Sequence, residues 1–229
     1  MCGGIFKGGY LLITIINFNK SYKKNNIFEN VNLNIVENGY YYFIGKNGSG
    51  KTTFFNCLLG FENFNGSIKI NTKSAAAVFD SEQLYTHLSI ETNIQIFLEG
   101  KLNEDQNTFF NDYLPIDRNR KIKSLSLGQR KMVAILIAVM KESKLLILDE
   151  ISNGLDVENT KKIKILLKKC KERMIILSCG HQLDFHKEIL DNILIINNHS
   201  ISLIEENQDL EEVYENYVSS SNQTTDLPI

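Results

Sequence analysis

The segment Gly45-Lys46-Asn47-Gly48-Ser49-Gly50-Lys51-Thr52 fits the pattern GxxxxGK[ST] without a gap. Glycines at this spacing let a backbone curl until several N–H groups converge on one anion. A helix beginning at the end of the loop adds the positive pole of its dipole. Lys51 reaches the β- and γ-phosphates of a nucleoside triphosphate in such a loop, and the Thr52 hydroxyl suits a magnesium ion. A second segment complements the first. Leu145-Leu146-Ile147-Leu148-Asp149-Glu150 is an apolar run that ends in two acids. A buried strand there carries Asp149 to the carboxyl edge of a sheet, where ligands of α/β folds bind. Asp149 would hold magnesium through water, and Glu150 would polarise or deprotonate an attacking water. Acids alone often mark a solvated strand end. Beside a phosphate loop they point to hydrolysis of a triphosphate.

These residues need particular elements around them. The loop requires a strand before it and a helix after it. Tyr40–Ile44 is a short apolar run, and the stretch to about Leu59 reads as a helix with Gly60 as its stop. Further strands are expected at Leu12–Phe18, Val31–Ile35, Ser67–Ile70 and Ala75–Phe79. Residues 84–143 change character, with helices at about 90–100, 104–114 and 127–142 and Pro115 as punctuation, and read as a helical insertion. Alternation then resumes: strand 145–148, helix 157–171, strand 174–178, helix 183–190, strands 192–196 and 200–204, helix 209–217. The expectation is one α/β domain over 1–218, with a mostly parallel sheet, antiparallel strands near the N-terminus and an inserted helical subdomain. A polar tail from Ser219 to Ile229 is expected to be disordered.

Bulk composition narrows the function classes. Lysine and arginine number 25 against 27 acids, a net charge of −2, which argues against a nucleic-acid binder working through bulk charge. Cys2, Cys57, Cys170 and Cys179 are scattered, with no zinc spacing, and read as reduced thiols. The longest apolar run, Met132–Met140, lies between Lys131 and Lys141 and is far short of the ~18 residues a bilayer span needs. It reads as a buried helix. The run Tyr10–Ile16 is short and continues into strand-like sequence, so it is not read as a signal core. A membrane role therefore has to come through a partner.

Other segments resemble one family. Leu125-Ser126-Leu127-Gly128-Gln129 lies about twenty residues before Asp149 and resembles the LSGGQ signature of ABC ATPases. Ser152-Asn153-Gly154-Leu155-Asp156 resembles the D-loop, His181 the switch histidine, and Tyr22 the aromatic that stacks on adenine. The resemblance spans residues 12–204 in the family's order. It implies a phosphate-loop NTPase core and the cofactors ATP and Mg2+. It also implies a head-to-tail homodimer or heterodimer whose two ATP molecules lie at the interface. The ATP contacts would be Tyr22, Gly45, Asn47, Gly48, Ser49, Gly50, Lys51, Thr52 and Thr53. From the partner copy they would be Ser126, Gly128, Gln129 and Asp156. Lys51, Glu150 and His181 would serve catalysis, while Thr52, Asp149 and Asp80 would serve the metal.

There are two departures. Leu127 replaces the first signature glycine, which a helical backbone tolerates. Asp80 stands where the family usually has a glutamine, with Gln83 as the alternative provider of an amide. Acids at this place are a feature of some small exporters of peptide antibiotics and bacteriocins. The function implied is the ATP-hydrolysing subunit of a transporter, peripheral on the cytoplasmic face of the cell membrane. It would power a transmembrane permease subunit, of peptide-antibiotic or drug exporter type. The alternative is a non-transport ABC ATPase acting in soluble assembly, regulation, or on nucleic acid or ribosomes. One short cassette with a slight negative charge weighs against the nucleic-acid branch.

Overall fold

The computed structural model describes residues 12–71, 74–80, 83–204 and 209–222, the side chains of 220–222 excepted. Cys2, Tyr10, Leu11 and the end of the expected tail, residues 223–229, lie outside this set.

Strands β1 (Ile13–Tyr22) and β2 (Asn25–Ile35) pair antiparallel, and β4 (Asn65–Ile70) adds to the other edge of β1. β1 runs four residues beyond the expected Phe18. Its inward apolar alternation breaks at Asn17, which takes φ 48 and shifts the register, and the ladder then resumes. The sequence pattern therefore stopped where the strand only bulged.

The second sheet has the order β5-β6-β7-β3-β8-β9, built from β5 (Ala75–Val78), β6 (Leu145–Asp149), β7 (Ile175–Cys179), β3 (Gly39–Ile44), β8 (Asn192–Asn197) and β9 (Ser200–Ile204). All neighbours are parallel except β8 and β9. Every residue of β3, β6 and β7 is buried. Unbroken apolar runs are what strands covered on both faces require.

One face of this sheet meets α1 (Lys51–Leu58) and the antiparallel sheet through Phe18, Phe28, Phe43, Phe54 and Phe55. Phe18 and Phe54 meet edge to face, with ring centroids 5.7 Å apart. The other face carries α4 (Leu127–Met140) and α5 (Val157–Cys170). Met132, Val133, Ile135 and Leu136 of α4 are all fully buried. Each such side chain contributes roughly 1.5–3 kcal/mol from burial. Between β5 and α4 in the chain come α2 (Ile90–Leu98), α3 (Glu104–Tyr113) and a 3-10 turn at Ile122–Ser124. Ile90, Ile94, Phe110 and Tyr113 join the same core as α4.

Two helix ends differ from expectation by three residues or more. α6 (Leu183–Lys187) stops short of residue 190, because the chain must turn there to enter β8. Asp191 closes that turn by accepting a hydrogen bond from the Tyr40 N–H at 2.8 Å. α7 (Leu210–Asn222) runs past Ser219, where the tail was expected. Leu210, Val213 and Tyr217 form a stripe buried against the core, and no glycine or proline interrupts the segment.

Candidate functional site

The phosphate loop leaves the central strand β3 and enters α1. Gly48 and Gly50 take φ 78 and 104, the left-handed region that side chains avoid. A Cβ on Gly45 would lie 2.5 Å from Ser49 Oγ, so the curl also needs glycine for space. Lys51 arches over the loop, its ammonium donating to the Gly45 carbonyl at 2.7 Å and the Lys46 carbonyl at 3.1 Å. Asn47 and Gly48 are exposed at the tip. Among the described residues Ser49 Oγ is a buried hydroxyl without a hydrogen-bond partner. Tyr217 of α7 braces the loop from behind, its hydroxyl accepting from the Lys46 N–H at 2.9 Å.

Two more strand ends meet the loop. The Thr52 hydroxyl donates to Asp149 Oδ2 at 2.8 Å. Asp149 is 7% exposed and accepts a second bond at Oδ1, from the Cys179 thiol at 2.7 Å. Burial, and then the charge of Asp149, push the thiol's pKa up and keep it a donor. Glu150 follows at φ 55, a left-handed backbone that costs a non-glycine residue roughly 1–2 kcal/mol. Its carboxylate accepts one hydrogen bond and has an imidazole nearby. Asn153 Nδ2 donates to Oε2 at 2.6 Å, and His181 Nε2 lies 3.4 Å from Oε1. His181 itself is half-exposed, so this imidazole faces open space as well as Glu150.

The signature residues form a separate patch. Ser126 caps α4, accepting from the Gln129 N–H, while the Gln129 side chain accepts from the Ser126 N–H at 3.2 Å, a reciprocal capping box. Leu127 occupies the first helical position and lies among the helical residues, outside the positive-φ set. Gly128 abuts the Asn159 side chain, which Asp156 holds as it caps α5. The Asn159 bonds lower the Asp156 pKa. Leu127 covers Gly154, where a Cβ would meet Leu127 Cδ2 at 2.5 Å. Signature and D-loop thus form one contiguous surface of the same chain.

Tyr22 ends β1 as a residue 44% exposed, and Lys20 Nζ sits 4.6 Å from the ring centroid. Its hydroxyl bonds Glu62 and contacts the side chain of Thr53 on α1. The Tyr22 hydroxyl and the Lys20 ammonium hold the Glu62 carboxyl down at about 2. Tyr22 is therefore anchored beside the start of α1 with a face open.

Asp80 lies on the loop after β5. Among the described residues no three His, Cys, Asp or Glu side chains gather as a metal-holding group. Asp80 instead pairs with Lys131 Nζ at 3.0 Å. The ammonium thus sits on the carboxylate that was expected to serve the metal. Gln83 turns back on the strand end, its Oε1 accepting from the Phe79 N–H at 3.0 Å. Lys131, Cys179 and Asn153 were not singled out as site residues. Lys131 carried no signal beyond flanking an apolar run, and Cys179 none beyond its strand. Asn153 lay within the D-loop segment.

The chain matches the ABC transporter family profile over residues 28–153. It is 31% identical to the lantibiotic transport ATP-binding protein SrtF of Streptococcus pyogenes, over 90% of this chain and 97% of that one. It is 29% identical to the methionine import ATP-binding protein MetN of Clostridium tetani, over 87% of this chain and 70% of that one. Its fold is similar to that of cbiO1 from Clostridium perfringens, part of the ABC transporter complex cbiONQ. That match has a TM-score of 0.73 and 24% identity, over 95% of this chain and 96% of that one. A dimeric ATP-binding cassette in a post-hydrolysis state with ADP and Pi also has a TM-score of 0.73, at 21% identity over 86% and 99%. The two structures speak for the fold. The profile, which covers more than half of the chain, and the relative matched over nearly its full length speak for descent. This chain belongs to the ABC transporter family, as an ATP-binding subunit with ATPase activity.

Proposed function

We propose that this chain is the cytoplasmic motor of an exporter, driving a separate membrane-spanning subunit that carries a peptide of antibiotic type. The observation that carries the hydrolytic part is the convergence of three strand ends. The Thr52–Asp149 contact of 2.8 Å lies behind the phosphate loop, and Glu150, one residue on, is gripped by Asn153 at 2.6 Å with His181 Nε2 3.4 Å from its other oxygen. Loop N–H groups and Lys51 bind the phosphates, and Tyr22 stacks on the base. Thr52 and Asp149 present adjacent hard oxygens, the donors magnesium prefers. The ion, when bound, neutralises phosphate charge. Glu150 orients the attacking water and takes its proton. His181 keeps the Glu150 carboxylate aimed and turns its exposed edge toward the γ-phosphate. Ser126, Gly128, Gln129 and Asp156 of a second copy complete the site in a head-to-tail dimer. The exposed Ser126 capping turn supports this, since a helix start with a hydroxyl is an anion site.

Support for export comes from the similarity to the lantibiotic transport protein and from the acid at position 80. The test is reconstitution in proteoliposomes with a membrane-spanning subunit that co-purifies with this chain. Hydrolysis should rise with a cationic amphipathic peptide and not with methionine or a polyamine. Stimulation by either small solute alone would refute the export reading.

A further inference from the structure

Lys131 lies on the second turn of α4, five residues after Ser126, with its side chain only 6% exposed. Lysine is almost never this buried unless its charge is paired. An ammonium has three protons to donate, and here each has an acceptor. Asp80 Oδ1 lies at 3.0 Å, the Glu150 carbonyl at 3.2 Å and the Asn153 carbonyl at 2.8 Å. The acceptors come from two segments: the loop after β5, and the Glu150–Asn153 turn that follows β6 and leads toward α5.

We propose that Lys131 is a positioning residue for ATP hydrolysis: it ties Asp80 to the turn that aims Glu150. The proposal rests on the reading of Glu150 as the base. The two carbonyls bracket a four-residue turn, Glu150–Asn153, whose last side chain grips Glu150 Oε2 at 2.6 Å. Glu150 sits at φ 55, a conformation that persists only where its surroundings impose it. The Lys131 ammonium is one such restraint, gripping a carbonyl at each end of the turn beside the bond from the Glu150 N–H to the Cys179 carbonyl at 3.0 Å. Of its three acceptors Asp80 alone is a charged side chain, and at 57% exposure it is also accessible. A contact that draws Asp80 outward pulls on the ammonium and so on the turn. The same lysine is carried by the helix that begins with the signature. Movement of the signature helix and of the Asp80 loop therefore reaches Glu150 through one group.

The experiment measures ATP turnover, KM and the urea midpoint for the full chain, Asp80→Asn, Lys131→Gln, the double variant and Glu150→Gln. Misaiming a catalytic group lowers turnover more than binding. Lys131→Gln should therefore lower kcat about tenfold with KM for ATP within about twofold. Asp80→Asn should lower kcat by roughly threefold, and the double variant should be no slower than Lys131→Gln, because groups in one network do not add. An unchanged kcat in a folded Lys131→Gln, or losses that multiply in the double variant, would overturn the proposal. If Lys131→Gln does not fold, Asp80→Asn decides. Its side chain is exposed, so a merely structural lysine leaves kcat untouched, whereas the tether lowers it. Glu150→Gln separates the two readings. Near-normal turnover there refutes Glu150 as the base, and the tether with it. An inactive Glu150→Gln beside a fully active Lys131→Gln refutes the tether alone.

Discussion

Acidification from pH 7.5 to 5 should cost this protein about 2 kcal/mol through His186 alone. His186 is fully buried on α6. Its Nδ1 meets the Tyr40 hydroxyl at 2.7 Å, and its ring stacks on Tyr42 with centroids 4.2 Å apart. Among the described residues Nε2 has no hydrogen-bond partner. Burial, and then the nearby Lys164 charge, lower its pKa to about 3. The unfolded chain takes that proton near pH 6.5. Between those values the unfolded state binds more protons, so stability falls as pH falls. The contribution is fully present above about pH 6.5, and each unit below costs about 1.4 kcal/mol. At pH 5 that amounts to about 2 kcal/mol, or a melting temperature lower by roughly 4–8 °C in a domain of this size. The assay is urea unfolding at pH 7.5, 6.5, 5.5 and 5. Far-ultraviolet circular dichroism is the probe, because the chain has no tryptophan. His186→Phe keeps a ring against Tyr42 and removes the titration. Carboxylates held low, such as Glu62 and Glu188, are common to both proteins and cancel in the difference. Wild type should lose about 2 kcal/mol more than the variant between pH 7.5 and 5. Parallel losses in the two would refute the argument.

Other sites yield sharper functional readouts. Lys51→Ala should abolish hydrolysis and weaken ATP binding, seen in turnover and nucleotide titration, because it strips a charge-assisted contact from the phosphates. Glu150→Gln should bind ATP, hardly hydrolyse it, and accumulate as a nucleotide-sandwiched dimer; size-exclusion chromatography with ATP and magnesium would show a monomer if the sandwich is wrong. Tyr22→Ala should raise KM for ATP while Tyr22→Phe leaves it nearly unchanged, and equal effects would place the role in the Glu62 hydrogen bond instead. Gly154→Ala should cost about 1–2 kcal/mol in urea unfolding from its left-handed backbone alone, φ 68. Adding Leu127→Ala should relieve only the steric share, since the 2.5 Å approach involves a leucine methyl.

The parts of this protein legible in its sequence are those written in contiguous residues. The phosphate loop is eight consecutive positions, and its glycines are demanded by local φ values and by the 2.5 Å approach to Ser49. The buried strands β3 and β6 are unbroken apolar runs, and Asp149 and Glu150 follow from ending one of them. The helical acceptance of Leu127 is likewise local geometry, whereas the reciprocal Ser126–Gln129 bonds appear only in the structure. The end of β1 was not legible, because the bulge at Asn17 breaks the alternation while the ladder continues. The end of α7 was not legible either, because a polar-looking segment stays helical once Leu210, Val213 and Tyr217 find the core. Only tertiary structure decided the partners of Asp80, Asp149 and Glu150. Asp80 and Lys131 are 51 residues apart, and Asp149 and Cys179 are 30 apart, on neighbouring strands. No local pattern distinguishes a lysine that will be buried from one that will be solvated. A charge's partner is set by which strand ends the sheet order brings together, and the order β6-β7-β3 places Asp149, Cys179 and the phosphate loop at one edge.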